Sequence, residues 1–214
     1  MSILEPSGGL PPLPEQPHDV EWPTERWPEG PFPTRVDQGH VDGLLDQAFG
    51  PDHDPGFGES HATLVVQGGR LVAERYGAGT SPTTPLASWS MAKSVLHAIV
   101  GILVRDGELD PGAPARVSEW DDQADPRHEI TLTNLLRMTD GLHFNEQYAF
   151  PEPDADPNQD DWSHAIDMLF GAGAEDHGAY TAGRPLAHPP GTVFNYSSGT
   201  SNVIARMVCD VIGR

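Results

Sequence analysis

Lys93 is the only lysine among 214 residues, against eleven arginines, and it lies three positions after Ser90 in Ser88-Trp89-Ser90-Met91-Ala92-Lys93-Ser94. A guanidinium keeps its proton near neutral pH, whereas a desolvated lysine amine can lose its own and then take one from a hydroxyl. In a helix, residues three apart share a face with Cβ atoms about 5–6 Å apart, so Ser90 and Lys93 can touch. The start of a helix also presents unpaired N–H groups and the positive end of the dipole, which favour a developing alkoxide and a nearby oxyanion. The chemistry suggested is attack by a serine with lysine as its base. The tetrapeptide alone fits a helix cap beside a solvated lysine equally well.

The elements that must position this pair can be read from periodicity. The apolar run Val95-Leu96-His97-Ala98-Ile99-Val100-Gly101-Ile102-Leu103-Val104, stopped at Gly107, predicts a largely buried helix with Ser90 at its start. Residues 61–76 hold two β-rich runs around Gly68-Gly69, the pattern of a hairpin, and its apolar face is expected to pack on that helix. Val41, Leu44, Leu45 and Phe49 predict a short helix ended by Gly50-Pro51. A second short helix follows Ile130, capped by Thr131 or Thr133 and broken at Asp140-Gly141, and a third covers residues 162–170. Tyr196-Ser197-Ser198 forms a polar elbow before a helix with an apolar face of Val203, Ile204, Met207, Val208, Val211 and Ile212. Residues 1–35 read as a proline-rich extended arm whose Trp22, Trp27 and Phe32 suggest docking on a surface. Residues 145–161 read as an acidic loop and 171–190 as mostly loop, lengths that commonly form binding surfaces.

Composition excludes several classes. A formal net charge of −20 argues against nucleic acid and anionic membrane as partners, which need a basic surface. The single Cys209 rules out an intrachain disulfide and fits a reducing compartment. No charged-then-apolar leader opens the sequence and no apolar run reaches membrane-spanning length, so a soluble, cytoplasmic protein is expected. Asp52-His53-Asp54 sits among Pro51, Pro55, Gly56 and Gly58 and reads as a solvated turn instead of a metal site. His128-Glu129 begins a zinc-protease pattern that fails at Leu132, so neither metal nor other cofactor is expected.

Four features occur in one order: the glycine-turn hairpin, Ser90-x-x-Lys93, Leu135-Leu136-Arg137-Met138-Thr139-Asp140-Gly141-Leu142-His143-Phe144, and Pro190-Gly191-Thr192-x-Phe194-x-Tyr196-Ser197-Ser198. This series resembles the serine β-lactamase and penicillin-recognising superfamily, on the side holding class C β-lactamases, related esterases and aminohexanoate-dimer (nylon-oligomer) hydrolases. Class C enzymes carry Tyr-x-Asn where this chain has Tyr196-Ser197-Ser198. That departure, with Ser90-Met91-Ala92-Lys93-Ser94 and Gly141-Leu142-His143-Phe144-Asn145-Glu146, is similar to the dimer-hydrolase branch and points away from β-lactamase activity.

The resemblance implies an α+β, β-lactamase/transpeptidase-like fold: an antiparallel sheet packed with helices, beside a mostly helical, loop-rich half. It implies Ser90 as acylated nucleophile, Lys93 as base, Tyr196 as proton shuttle, and Ser198, His143 and Asn145 as substrate-binding or orienting residues. The substrate implied is a small amide or ester. The family's third motif, Lys-Thr-Gly or His-x-Gly on a strand, supplies a second oxyanion donor, and it is not among the 18 residues after Tyr196. The resemblance therefore reads residues 36–214 as the N-terminal portion of such a domain, with only the first hairpin of its sheet. Little turnover by these 214 residues alone and self-association through the open sheet edge are expected. The competing reading is a non-catalytic fragment or binding module of the same fold.

Overall fold

The computed structural model describes residues 15, 17–51, 54–150 and 162–213. The start of the proline-rich arm, the Asp52-His53 pair and the later part of the acidic loop lie outside the described residues. The described chain forms two compact units, divided between Ala87 and Ser88.

In the first unit, Asp37 starts α1 (Gln38–Phe49) by accepting the His40 N–H on its side chain at 3.0 Å. Strands β1 (Ala62–Gln67) and β2 (Arg70–Tyr76) pair antiparallel, with Ala62 opposite Tyr76 and Gln67 opposite Arg70. Gly68 and Gly69 have φ of +56° and +72°, the left-handed pair that a two-residue hairpin turn needs and that side chains disfavour. The register shifts between Val65 and Val66, which leaves Val72 as the extra residue of a bulge. Asp46 of α1 pairs with Arg75 of β2 at 2.9 Å. Part of the arm runs beside β2: Leu71 N–H donates to the Pro28 carbonyl at 2.8 Å, and Gly30 N–H donates to the Leu71 carbonyl at 3.1 Å. Pro28 has no N–H and Pro31 follows at once, so the pairing stops at a single bridge between Glu29 and Leu71. Among the described residues the outer edge of β1 has no strand beside it.

The second unit contains α2 (Met91–Arg105), α3 (Leu132–Leu136), α4 (His164–Phe170), α5 (His177–Ala182) and α6 (Ser198–Ile212). Helix α6 packs against the other four. Its buried Val203, Ile204, Met207 and Val208 join Val100 of α2, Leu132 and Leu135 of α3, and Trp120 in one core. Ser197 caps its start by accepting the Thr200 N–H at 2.8 Å, and Gly213, at φ +72°, closes its end. The Trp120 indole N–H donates to the Ala182 carbonyl at 2.9 Å, and Arg127 donates to the Ala182 and Arg184 carbonyls at 3.0 Å each. These bonds pin the segment between α2 and α3 onto the end of α5.

Three elements differ from expectation. Thr131 does cap α3, in a reciprocal arrangement with Asn134, but the helix ends at Leu136 because Met138 turns left-handed at φ +54° and Thr139 N–H returns to the Asn134 carbonyl at 2.8 Å. Helix α5 lies in a stretch read as loop. Its Gly178 interrupts the helical pattern and packs close to α6, where a Cβ would meet Arg206 Cδ at 3.1 Å and the Asn202 carbonyl at 3.2 Å. Helix α2 is not largely buried. Only Val100 is, while Val95, Ile99 and Ile102 are exposed, since within this unit one face alone has a helix against it. Among the described residues no helix is long and apolar enough to cross a membrane.

Candidate active site

Ser90 stands at the N-cap of α2 in helical backbone geometry, and its side chain makes no capping hydrogen bond. Thr131, Ser163, Asp176 and Ser197 all cap their helices with side-chain oxygens, so Ser90 is the exception among the hydroxyl and carboxylate residues at helix starts in this unit. Its Oγ instead accepts the Tyr196 hydroxyl at 2.6 Å and the Lys93 Nζ at 3.2 Å. The residue before it, Trp89, has φ +47°, a conformation uncommon outside glycine and typical of backbone strain held at a functional turn.

Tyr196 reaches Ser90 because the chain before α6 is tied down. Asn195 N–H donates to the Met138 carbonyl at 2.9 Å, and its side-chain amide donates to the Phe144 carbonyl at 2.7 Å. Ser198 then opens α6 and accepts from Lys93 Nζ at 3.0 Å, while the ammonium lies 5.0 Å from the centre of the Tyr196 ring. Gly199 lets the first turn of α6 pack against Phe144 and α5: a Cβ there would sit 2.4 Å from both the Phe144 ring and the Thr181 hydroxyl.

Glu146 completes the arrangement and was not singled out from sequence. One oxygen accepts the Ser198 N–H at 2.7 Å, and the other accepts both the Ser198 hydroxyl and the Tyr148 hydroxyl, the latter at 2.6 Å. Ser198 has one proton, and the carboxylate takes it in a charge-assisted bond. A lone pair of Ser198 is thereby left facing Lys93. The hydrogen bond to Glu146, reinforced by partial burial and the negative charge, holds the Tyr148 phenol above its ordinary range.

Asp140 works one layer behind. It accepts the Leu142 N–H at 2.9 Å and the Thr200 hydroxyl at 2.8 Å, joining the turn after α3 to the first turn of α6. Burial pushes its carboxyl above the ordinary range, against the lowering effect of these bonds.

The other two sequence candidates make contacts around Pro185 and His164. His143 donates its N–H to the Pro185 carbonyl at 2.8 Å and sets its ring against the buried His164, with centroids 5.0 Å apart. Asn145 N–H donates to His164 Nδ1 at 2.8 Å, and its carbonyl accepts the Ala165 N–H at 3.3 Å. Neither lines the cavity of about 480 Å³ that opens beside Ser90 and Lys93 between α2, α4 and α6. Structure thus brings Ser90, Lys93, Tyr196 and Ser198 together and leaves His143 and Asn145 in the supporting loop.

The Beta-lactamase family model matches residues 48–213, and the chain belongs to that family. A 90-residue stretch is 29% identical to the 6-aminohexanoate-dimer hydrolase of Paenarthrobacter ureafaciens, covering 42% of this chain and 23% of that protein. A structure from Bacillus anthracis, provisionally named as a 6-aminohexanoate-dimer hydrolase, aligns with a TM-score of 0.56 at 21% identity over 88% of this chain and 49% of its own. Another from Bacteroides dorei DSM 17855, provisionally named as a β-lactamase, gives 0.53 at 20% identity over 82% of this chain and 46% of its own. The fold is therefore α+β and β-lactamase-like, and the chain spans about half the length of these solved structures.

Proposed function

We propose that this protein is a serine hydrolase of amide or ester bonds that works through an acyl-enzyme on Ser90. The observation that carries the reading is the pair of contacts on the Ser90 hydroxyl, from Tyr196 at 2.6 Å and Lys93 at 3.2 Å, at a helix start it does not cap. In acylation the Ser90 proton passes to the Lys93–Tyr196 pair as Oγ bonds to the substrate carbonyl carbon. The Ser90 N–H, at the positive end of α2, supplies one donor to the oxyanion. Tyr196 returns the proton to the leaving nitrogen or oxygen as the scissile bond breaks, and water releases the acyl group by the same path in reverse. Ser198, polarised by Glu146, holds the lysine nitrogen toward Ser90. The name of the Paenarthrobacter relative favours a small linear amide as substrate.

A fluorophosphonate probe tests this directly. Intact-mass analysis is expected to show one adduct, mapped to Ser90, and none in Ser90→Ala or Lys93→Arg, because the guanidinium keeps its proton. A folded protein that gives no adduct, or one on another residue, would overturn the proposal.

A further inference from the structure

Tyr196 and Lys93 both reach the Ser90 hydroxyl, and different side chains hold each of them there. Tyr196 is 39% exposed and Phe194 is 53% exposed, so burial alone does not fix the phenol. Between them stands half-buried Asn195, fastened twice. Its N–H donates to the Met138 carbonyl at 2.9 Å, and its side-chain amide donates to the Phe144 carbonyl at 2.7 Å. Met138 keeps φ at +54°, an uncommon backbone of the kind retained where function requires it. The N–H bond alone would leave the segment free to pivot about it, and the amide removes that pivot. Lys93 is held by another route: its Nζ donates to Ser198, whose N–H and hydroxyl both go to Glu146. The two tethers are anchored in the same stretch, residues 138–146, but share no hydrogen bond.

Resting on the acyl-enzyme reading above, we infer that Asn195 is a positioning residue for proton transfer: its amide, held by the Phe144 carbonyl, aims the Tyr196 hydroxyl at Ser90 independently of the Glu146–Ser198 tether that aims Lys93. Asn195 does not line the cavity beside Ser90, so it acts on the reaction through Tyr196. The sensitivity of proton transfer to geometry makes the tether matter, since a misplacement of about 1 Å can cost about a hundredfold in rate.

Rates of Ser90 labelling by a fluorophosphonate, read by intact mass beside a thermal melt of each protein, make the test. Asn195→Asp keeps the size of the side chain and sets a carboxylate against a carbonyl oxygen, while Asn195→Leu keeps the size without a donor. Each should label about tenfold or more slowly than the parent. In a Tyr196→Phe background the same changes should cost less than about twofold, because the hydroxyl they aim is already gone. In a Glu146→Gln background they should cost their full factor. A purely structural role would slow both backgrounds alike. Folded variants that label at the parent's rate, or that slow Tyr196→Phe as much as the parent, would overturn this inference and leave the hydrolase reading standing. Loss of the fold in both variants would do the same, since Asn195 would then serve the fold. Coupling to Glu146→Gln as strong as that to Tyr196→Phe would overturn the independence of the two tethers. A folded parent that takes no adduct would overturn both readings.

Discussion

Ser198 is placed between a cation and an anion, and the direction of its single proton decides what Lys93 meets. With Glu146 taking that proton, the hydroxyl offers Lys93 a lone pair at 3.0 Å and fixes the amine beside Ser90. Glu146→Gln weakens a charge-assisted bond to a neutral one and is expected to slow probe labelling of Ser90 about tenfold, as is Ser198→Ala. The double variant should be little worse than either single one, since both act on the same contact; rates for the four proteins check this. Tyr196→Phe removes the proton carrier itself and is expected to slow acylation by about 10²–10⁴. Trp89→Gly should raise the melting temperature by relieving a left-handed residue worth about 1–2 kcal/mol, while slowing labelling because Ser90 is then held less firmly. Ser90 and Lys93 were legible in sequence because helix geometry makes positions three apart neighbours. Tyr196 and Ser198 came through a motif. Glu146 ends the Gly141–Glu146 stretch that carries the resemblance, but its partner Ser198 is 52 residues away, and no local spacing says that the two meet.

Helix α6 carries much of what positions the site, and its first turn depends on Asp140 and on the absence of a side chain at Gly199. Burial raises the Asp140 carboxyl in the folded chain above the ordinary value of about 3.9. The folded state therefore holds this proton more tightly than the unfolded state. Asp140's contribution is fully present below the ordinary value and is lost as pH rises through the elevated one. Thermal melts from about pH 4 upward should show the parent losing stability relative to Asp140→Asn, which cannot ionise; a constant gap would contradict the assignment. Gly199→Ala overpacks the contact with Phe144 and Thr181 and is expected to cost about 1–3 kcal/mol in denaturant unfolding. Most elements were legible from periodicity and caps. Two features were not: α5, a six-residue helix containing a glycine and too short for its period to show, and the exposed face of α2, because an apolar run alone does not say how many partners surround it.

For the whole chain, the order of motifs along residues 48–213 was enough to read the family, since each motif marks one element of the fold. The division between Ala87 and Ser88 was not readable, because no change of composition marks it. The arm, read as docking on a surface, meets the hairpin at a bridge between Glu29 and Leu71. One property of composition acquires a use from the structure. Because Lys93 is the only lysine, the chain has a single ε-amine, and that amine touches the candidate nucleophile. Reductive methylation with isotopically labelled formaldehyde would thus give one lysine signal by NMR, a built-in reporter in no need of mutagenesis. Amine-directed inactivation could be assigned to this nitrogen by counting one modified lysine per molecule.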